Sequence, residues 1–343
     1  DELVATLVER VTERRVTALV GPRRYGKTSV LRRVVAEMAA AGTSVVWLDL
    51  YEVTSVADLA RRFDRGLAEA GGPVRSRVDD LAVGVQLNLG LLGVELSRRG
   101  RDRPDPEAMF SLLVDVLVDG AAATPTVVVI DEFPGIDRVE GAAGLLRTKL
   151  QHRFQDIGLL FAGSQPSLMR AMFADRARPF YAQADLVEIG PFDLAATRAI
   201  VEDGFAATDR DPADLAGLLY AFTGGHPYRT MQVADVAWRL AVPGEPTDTT
   251  SLWARTLEAV RAESNLATET AFGHRSGSEK AVLRLIAHGD PLFGTAAELL
   301  GLTASSAQNA RDALLADGDL VSRDRLEVVD PVVADWIRRR FPR

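Results

Sequence analysis

Gly21, Gly26, Lys27 and Thr28 stand in the spacing G-x-x-x-x-G-K-[ST], within the stretch GPRRYGKTS at residues 21–29. These residue types bind phosphate. Glycines let successive backbone N–H groups close around phosphate oxygens at a helix N-terminus, where a lysine adds charge and a hydroxyl can ligate magnesium. Pro22, Arg23, Arg24 and Tyr25 fill the loop, Ser29 follows it, and the two arginines extend its positive charge. A chance glycine turn is the competing reading, and the apolar run before the loop and the helical periodicity after it weigh against that reading.

A second acidic feature fits the first. TVVVIDEF at 126–133 is an apolar run that ends in Asp131-Glu132. Such strand ends face the ligand in α/β sheets. Asp131 is expected to hold magnesium through water, and Glu132 to orient or deprotonate an attacking water; an adjacent Asp-Glu pair favours hydrolysis over binding alone. Lys27, Asp131 and Glu132 are thus the catalytic candidates, and Thr28 with Asp131 the metal candidates. LLFAGSQPSLM at 159–169 is another apolar run ending in small polar residues, which places Ser164 or Gln165 near a terminal phosphate or else in a plain loop with a helix cap. Asp49, at the end of a further run, is a weaker candidate of the same kind. FTGGHPY at 222–228 is, taken alone, a Gly-Pro boundary between two helices, and His226 alone proposes no catalysis.

The elements that must position these residues follow from periodicity. Strands are expected at Val16–Val20, Ser44–Leu50, Thr126–Ile130, Ile157–Ala162 and Asp185–Ile189, and helices at Thr28–Ala41, 56–70, Pro106–Ala122 and Gly144–Phe154. Continuous apolar strands separated by helices imply a parallel sheet covered on both faces, an α/β P-loop domain over residues 1–191. Residues 83–96, VGVQLNLGLLGVEL, alternate and then change parity at Leu91–Leu92, which predicts a β-hairpin insertion at an edge. Residues 192–272 show only helical periodicity, an all-α lid domain. Residues 273–343 predict helices at Glu279–His288, Gly294–Leu300 and Ala304–Asp317 and short strands at Leu320–Ser322 and Leu326–Val329, the pattern of a winged helix-turn-helix.

Composition narrows the class. The chain has 343 residues, 47% of them apolar and 26% charged, an ordinary globular balance with room for two or three domains. No cysteine and only four histidines leave no thiolate site and little material for zinc, so a metal is expected to be a hard cation on oxygen. No run approaches the roughly 20 apolar residues of a membrane span, and residues 1–15 are too charged for a secretory signal, so a cytoplasmic protein is expected. The first residue is Asp1 rather than Met, which suggests a trimmed piece of a longer chain. A net charge of −8 argues against broad attraction to nucleic acid.

Together, GPRRYGKTS, VVVIDEFP, AGSQPSLM and TGGHPY resemble the archaeal-type ATPases of the STAND class, relatives of the AAA+ proteins, and LEVVDPVVADWIRRR resembles the end of that family's winged-helix domain. The resemblance implies an ATP-driven switch that binds ATP or ADP with Mg2+. It implies that nucleotide sits between the α/β domain and the lid, with His226 and Pro227 of the GGHP motif on the binding side and Pro227 near the adenine. It also implies that the winged helix packs on the ATPase or binds a partner. One departure is FYAQ at 180–183, where the family has an arginine in place of Gln183; Arg176 and Arg178 are the nearest substitutes, and slow or activator-dependent hydrolysis is the expected consequence.

Two other functions remain open. A DNA-binding AAA+-like initiator or transposition helper would place Ala304–Leu315 in a major groove with Arg323 and Arg325 near the backbone. Residues 274–343, however, hold ten Lys/Arg against ten Asp/Glu, where a DNA reader is basic, so a protein partner or self-association is favoured over DNA. The other alternative is a structural nucleotide-binding protein with negligible turnover.

Overall fold

The computed structural model describes residues 2–84, 105–322 and 325–343. Two compact units divide the chain: residues 1–21 with 27–189, and residues 22–26 with 190–343. The first unit runs α1 (Glu2–Thr12), β1 (Thr17–Val20), α2 (Lys27–Ala40), β2 (Ser44–Asp49), α3 (Val56–Ala68), α4 (Val74–Gly84), α5 (Pro106–Ala123), β3 (Thr126–Asp131), a 3-10 turn (Phe133–Arg138), α6 (Ala142–Leu150), β4 (Gly158–Gly163), α7 (Pro166–Ala174) and β5 (Asp185–Glu188). Its five strands pair in parallel in the order β2-β3-β4-β1-β5.

The central strands β1, β3 and β4 are buried at every position because both faces of the sheet are covered there, whereas the edge strand β5 is largely exposed; side-chain parity decides which helix layer each buried residue meets. Ala18, Val20, Val46, Leu48, Val128, Ile130, Leu159 and Phe161 join the core built with α3 to α7. Leu19, Val127, Val129, Leu160 and Ala162 instead meet Leu7 and Val11 of α1 and Leu31 and Val34 of α2. Parallel pairing aligns the strand ends, so Val20 lies opposite Gly163 and Asp49 opposite Asp131. Gly21, Asp49, Asp131 and Ser164 therefore stand at the C-terminal ends of the strands.

The expected hairpin at 83–96 is corrected at its start: Val83 and Gly84 close helix α4, whose Val74 and Val78 are buried against α5. The remainder of that segment, 85–96, lies outside the described residues.

The second unit contains α8 (Leu194–Ala206), α9 (Leu215–Thr223), α10 (Pro227–Leu240), α11 (Thr249–Gly273), α12 (Gly277–His288), α13 (Thr295–Leu299), α14 (Ala304–Asp317), the antiparallel ribbon β6 (Leu320–Ser322) and β7 (Leu326–Val328), and α15 (Pro331–Arg340). One core gathers Val201, Phe205, Leu219, Val233 and Val260 with Val332 of α15. Another gathers Val282, Leu285, Leu314 and Leu320 with Trp336 and Ile337 of the same helix. Helix α15 thus belongs to both cores. No described helix is long and apolar enough to cross a membrane.

An aromatic cluster anchors the turn that follows β3. Phe133 is fully buried, with ring centroids 4.5 Å from Phe161 and 5.0 Å from Phe180. Because Phe133 follows Glu132 directly, this packing holds the carboxylate's backbone in place. Phe133→Ala is expected to cost roughly 3–5 kcal/mol of folding stability, read as a lower urea midpoint in circular dichroism.

Candidate phosphate-binding and hydrolytic site

In the first unit, β1 ends at Val20, Gly21 follows it and α2 begins at Lys27, so the loop joins strand to helix. Gly21 has a packing reason to be glycine: a Cβ there would lie 2.3 Å from Ile189 Cγ2, just beyond β5. Gly26 has a conformational one, a φ of +82°. Lys27 is buried, and its ammonium donates to the carbonyl of Gly21 at 2.8 Å. The cation is thus turned back over its own loop.

Two adjacent carboxylates are handled differently. Asp131 is buried at the end of β3, where its Oδ2 accepts from Thr28 Oγ1 at 2.9 Å and its Oδ1 from the Glu132 N–H at 3.0 Å. Burial raises its pKa above the usual carboxylate value, against the lowering effect of those two hydrogen bonds; the Glu132 and Asp49 charges raise it further. Glu132 takes a left-handed backbone, φ +49°, which bends the chain out of the strand so that successive carboxylates have different neighbours. Glu132 Oε2 accepts from Ser164 Oγ at 2.8 Å and Ser164 N–H at 3.2 Å.

The Thr28–Asp131 pair suits a hard divalent cation, since both groups offer oxygen and one is a carboxylate whose buried charge a cation would relieve. No cluster of three or more His, Cys, Asp or Glu that could hold a metal occurs among the described residues, so water and phosphate oxygens would have to complete the coordination. Magnesium commonly binds this way. Asp49 lies beside Asp131 in register, and its Oδ1 accepts from the Tyr51 N–H at 2.9 Å, a turn contact at the strand end.

Arg178 and Gln183 have contacts of their own. Arg178 donates to Asp137 Oδ2 at 2.9 Å, and Gln183 Nε2 to the carbonyl of Tyr181 at 3.1 Å. Arg178 therefore braces the turn after Glu132.

In the second unit, GGHP is a helix boundary with tight steric demands. Gly224 caps α9 with a left-handed backbone. Gly225 is also left-handed, φ +71°, and a Cβ there would lie 1.9 Å from the carbonyl oxygen of Phe192, whose N–H donates to Gly225 at 2.8 Å. His226 caps α10, its Nδ1 accepting from the Arg229 N–H at 3.4 Å, and Pro227 takes the first helical position. Loop residues 22–26 belong to this unit, and the buried Tyr25 ring meets His226 edge-on at 4.8 Å. A cavity of about 790 Å³ opens there, bordered by Tyr25, Thr223, Gly224, His226 and His288. Arg23, Arg24, Thr28 and Ser29 are exposed, and Pro22 and Pro227 are buried.

Two contacts lie beyond sequence reasoning. One is the bond from Ser164 to Glu132, between residues 32 apart in the chain. The other is a pair between Arg229 and Asp330, which are 101 positions apart. The only sequence trace of the second is Asp330-Pro331, an N-cap followed by a first-turn proline.

Residues 10–172 match the family described as AAA domain. Among solved structures, the Aeropyrum pernix ORC2 protein in its ADPNP–ADP complexes is similar over 100% of this chain and 93% of its own, at 15% identity and a TM-score of 0.53. The ADP form of the same protein matches over the same shares at 14% identity and a TM-score of 0.50. The Aeropyrum pernix ORC1 protein in complex with DNA aligns over 98% of this chain and 91% of its own, at 15% identity and a TM-score of 0.48. No curated protein matches the chain. The parallel five-stranded sheet and the helical segment after it thus resemble the fold of the ORC2 protein, and residues 10–172 are similar to the AAA domain family.

His226 carries a pH consequence. Its pKa is lowered from 6.5 to about 4, chiefly by burial, with the nearby Asp330 charge opposing the shift. Protonation would also put a hydrogen on the ring nitrogen that caps α10. Between pH 6.5 and about 4 the unfolded chain binds this proton and the folded chain does not, so stability falls as pH is lowered through that window. Replacing His226 with Asn, a neutral cap, is expected to flatten this part of the profile in thermal melts taken from pH 7 to pH 4.

Proposed function

We propose that the protein binds ATP through residues 21–28 and hydrolyses it slowly, acting as a STAND-type molecular switch. The observation that carries the reading is the separation of roles on Asp131 and Glu132. Thr28 claims the first carboxylate and Ser164 positions the second. A loop that only bound phosphate would need no positioned second acid.

In this mechanism the loop N–H groups of Gly21 to Thr28 hold the β- and γ-phosphates, and Lys27 exchanges the Gly21 carbonyl for phosphate oxygen. Thr28 and Asp131 would hold Mg2+, which when bound neutralises charge on the transferring phosphoryl group. Glu132, fixed by Ser164, takes a proton from the attacking water as its oxygen bonds to the γ-phosphorus. The bond to the β-phosphate oxygen breaks, leaving ADP and inorganic phosphate. The cavity bordered by Tyr25 and His226 has room for a base, and His226 and Pro227 are proposed on that side. Slow turnover accords with Gln183 in the arginine's place and with Arg178 committed to Asp137.

For residues 273–343 we propose a winged helix used for protein packing or autoinhibition. Four of its cations are neutralised locally: Arg325 pairs with Glu327, Arg339 with Asp335, Arg343 with Asp290, and Arg275 with Asp317 and Asp319. On α14, the helix that would enter a major groove, Gln308 donates to Asp312 and Arg311 to Gln308, so these polar side chains bond one another. DNA binding is the second reading, favoured by the order of three helices and an antiparallel ribbon; a salt-dependent shift of duplex DNA in a gel would establish it.

Lys27→Ala is expected to abolish ATP and ADP binding in calorimetry. Glu132→Gln is expected to keep nucleotide affinity while lowering phosphate release on the order of 100-fold or more, and Ser164→Ala to lower it less. Equal background release by wild type and Glu132→Gln would replace the switch with a structural nucleotide.

A further inference from the structure

Asp330 sits where three structural demands meet within the second unit. Its carboxylate caps α15, accepting from the Val332 N–H at 3.0 Å. It also receives Arg229 in a two-pronged pair, from Nε at 2.8 Å and Nη2 at 2.6 Å, and the Arg229 side chain is only 7% exposed. The third partner is Arg24 of the phosphate loop, whose Nη1 lies 3.9 Å from the same carboxylate and whose guanidinium lies over the Tyr228 ring, 4.9 Å from its centroid.

The two arginines are not equivalent. Arg229 is buried, its Nη1 donates to Gln232, and freeing it would strand a charge away from water. Arg24 is 59% exposed and makes one long ion pair beside its contact with the Tyr228 ring, the kind of pair that contributes little and exchanges freely. Arg24 also stands three residues before Lys27, inside the loop proposed to hold phosphate. A phosphate there carries more charge than one carboxylate and competes directly for that guanidinium.

We propose that Asp330 and nucleotide phosphate share Arg24, so that the first turn of α15 reads whether the loop is occupied. With the loop empty, Arg24 rests on Asp330 and adds charge compensation at the α15 cap. With nucleotide bound, Arg24 turns to phosphate, Asp330 keeps Arg229 alone, and the cap of α15 loosens. The signal spreads because α15 belongs to two cores, through Val332 in one and Trp336 with Ile337 in the other. This proposal rests on nucleotide binding at residues 21–28 and names how that occupancy reaches the C-terminal segment.

By reciprocity, what nucleotide takes from Asp330, Asp330 takes from nucleotide affinity. The test is a double-mutant cycle on the full chain, with ADP affinity measured by calorimetry. Asp330→Asn, which keeps an oxygen for the cap and for Arg229, is expected to tighten ADP binding about two- to fivefold in an otherwise wild-type chain, and to have no effect when Arg24 is Gln. An unchanged affinity, or the same shift in both backgrounds, overturns the proposal. Hydrogen exchange supplies a second readout without altering Asp330. Saturating ADP should speed exchange at the amides of Val332 to Ala334 in wild type and leave it unchanged in Arg24→Gln; equal behaviour of the two chains overturns the proposal. The proposal fails on its own if ADP binds wild type and these readouts do not move. If ADP does not bind wild type at all, nucleotide binding at the loop fails and the proposal fails with it.

Discussion

A carboxylate at the end of a fully buried strand must be given hydrogen bonds or lose its charge, and the first unit is arranged around that demand at Asp131. Burial raises its pKa, while Thr28 and the Glu132 amide oppose the shift. The Thr28 hydroxyl reaches Asp131 across a separation of 103 residues because β1 and β3 run parallel in one sheet with their ends aligned. Both strands are buried at every position and so must be covered on both faces. The next residue, Glu132, leaves the strand in a left-handed turn held by Phe133, and so takes Ser164 as its partner. Two neighbouring acids acquire different partners through backbone geometry.

The second unit shows how one short stretch can satisfy packing and chemistry together. Gly225 is required by its approach to Phe192, and His226 and Pro227 by the start of α10. These demands alone account for the GGHP residues as a helix boundary. The contact between His226 and Tyr25 gives the stretch a further place, because Tyr25 lies inside the phosphate-loop motif. A histidine kept neutral by burial suits an aromatic neighbour. The same segment carries Arg229, whose charge is tolerated only because Asp330 meets it with both oxygens.

Much of the fold was legible from period alone. The strands at Thr126–Asp131 and Gly158–Gly163 are continuous apolar runs, and α14 occupies Ala304–Asp317 as its pattern requires, with Thr303 before it and Gly318 after it as caps. Around Val83 local alternation misled, because Val83 and Gly84 complete the last turn of α4, whose buried side chains Val74 and Val78 lie upstream of the alternating run. A two-residue period read over a short window carries no information about a helix already under way.

What the sequence by itself determined is the chemistry that depends on neighbours in the chain. Gly21, Gly26, Lys27 and Thr28 can be read as a phosphate loop because backbone amides, lysine and helix start are contiguous, and Asp131-Glu132 as a strand end because the apolar run stops there. Only the tertiary structure decided which partner each polar group takes. Ser164 bonds Glu132, Arg178 bonds Asp137, and Asp330 joins Arg229 and Arg24. Those pairings span from 32 to 306 residues. The physical reason is that a buried polar group requires a partner but its sequence context does not say which. That choice falls to whichever donor or acceptor the packed strands and helices bring within about 3 Å.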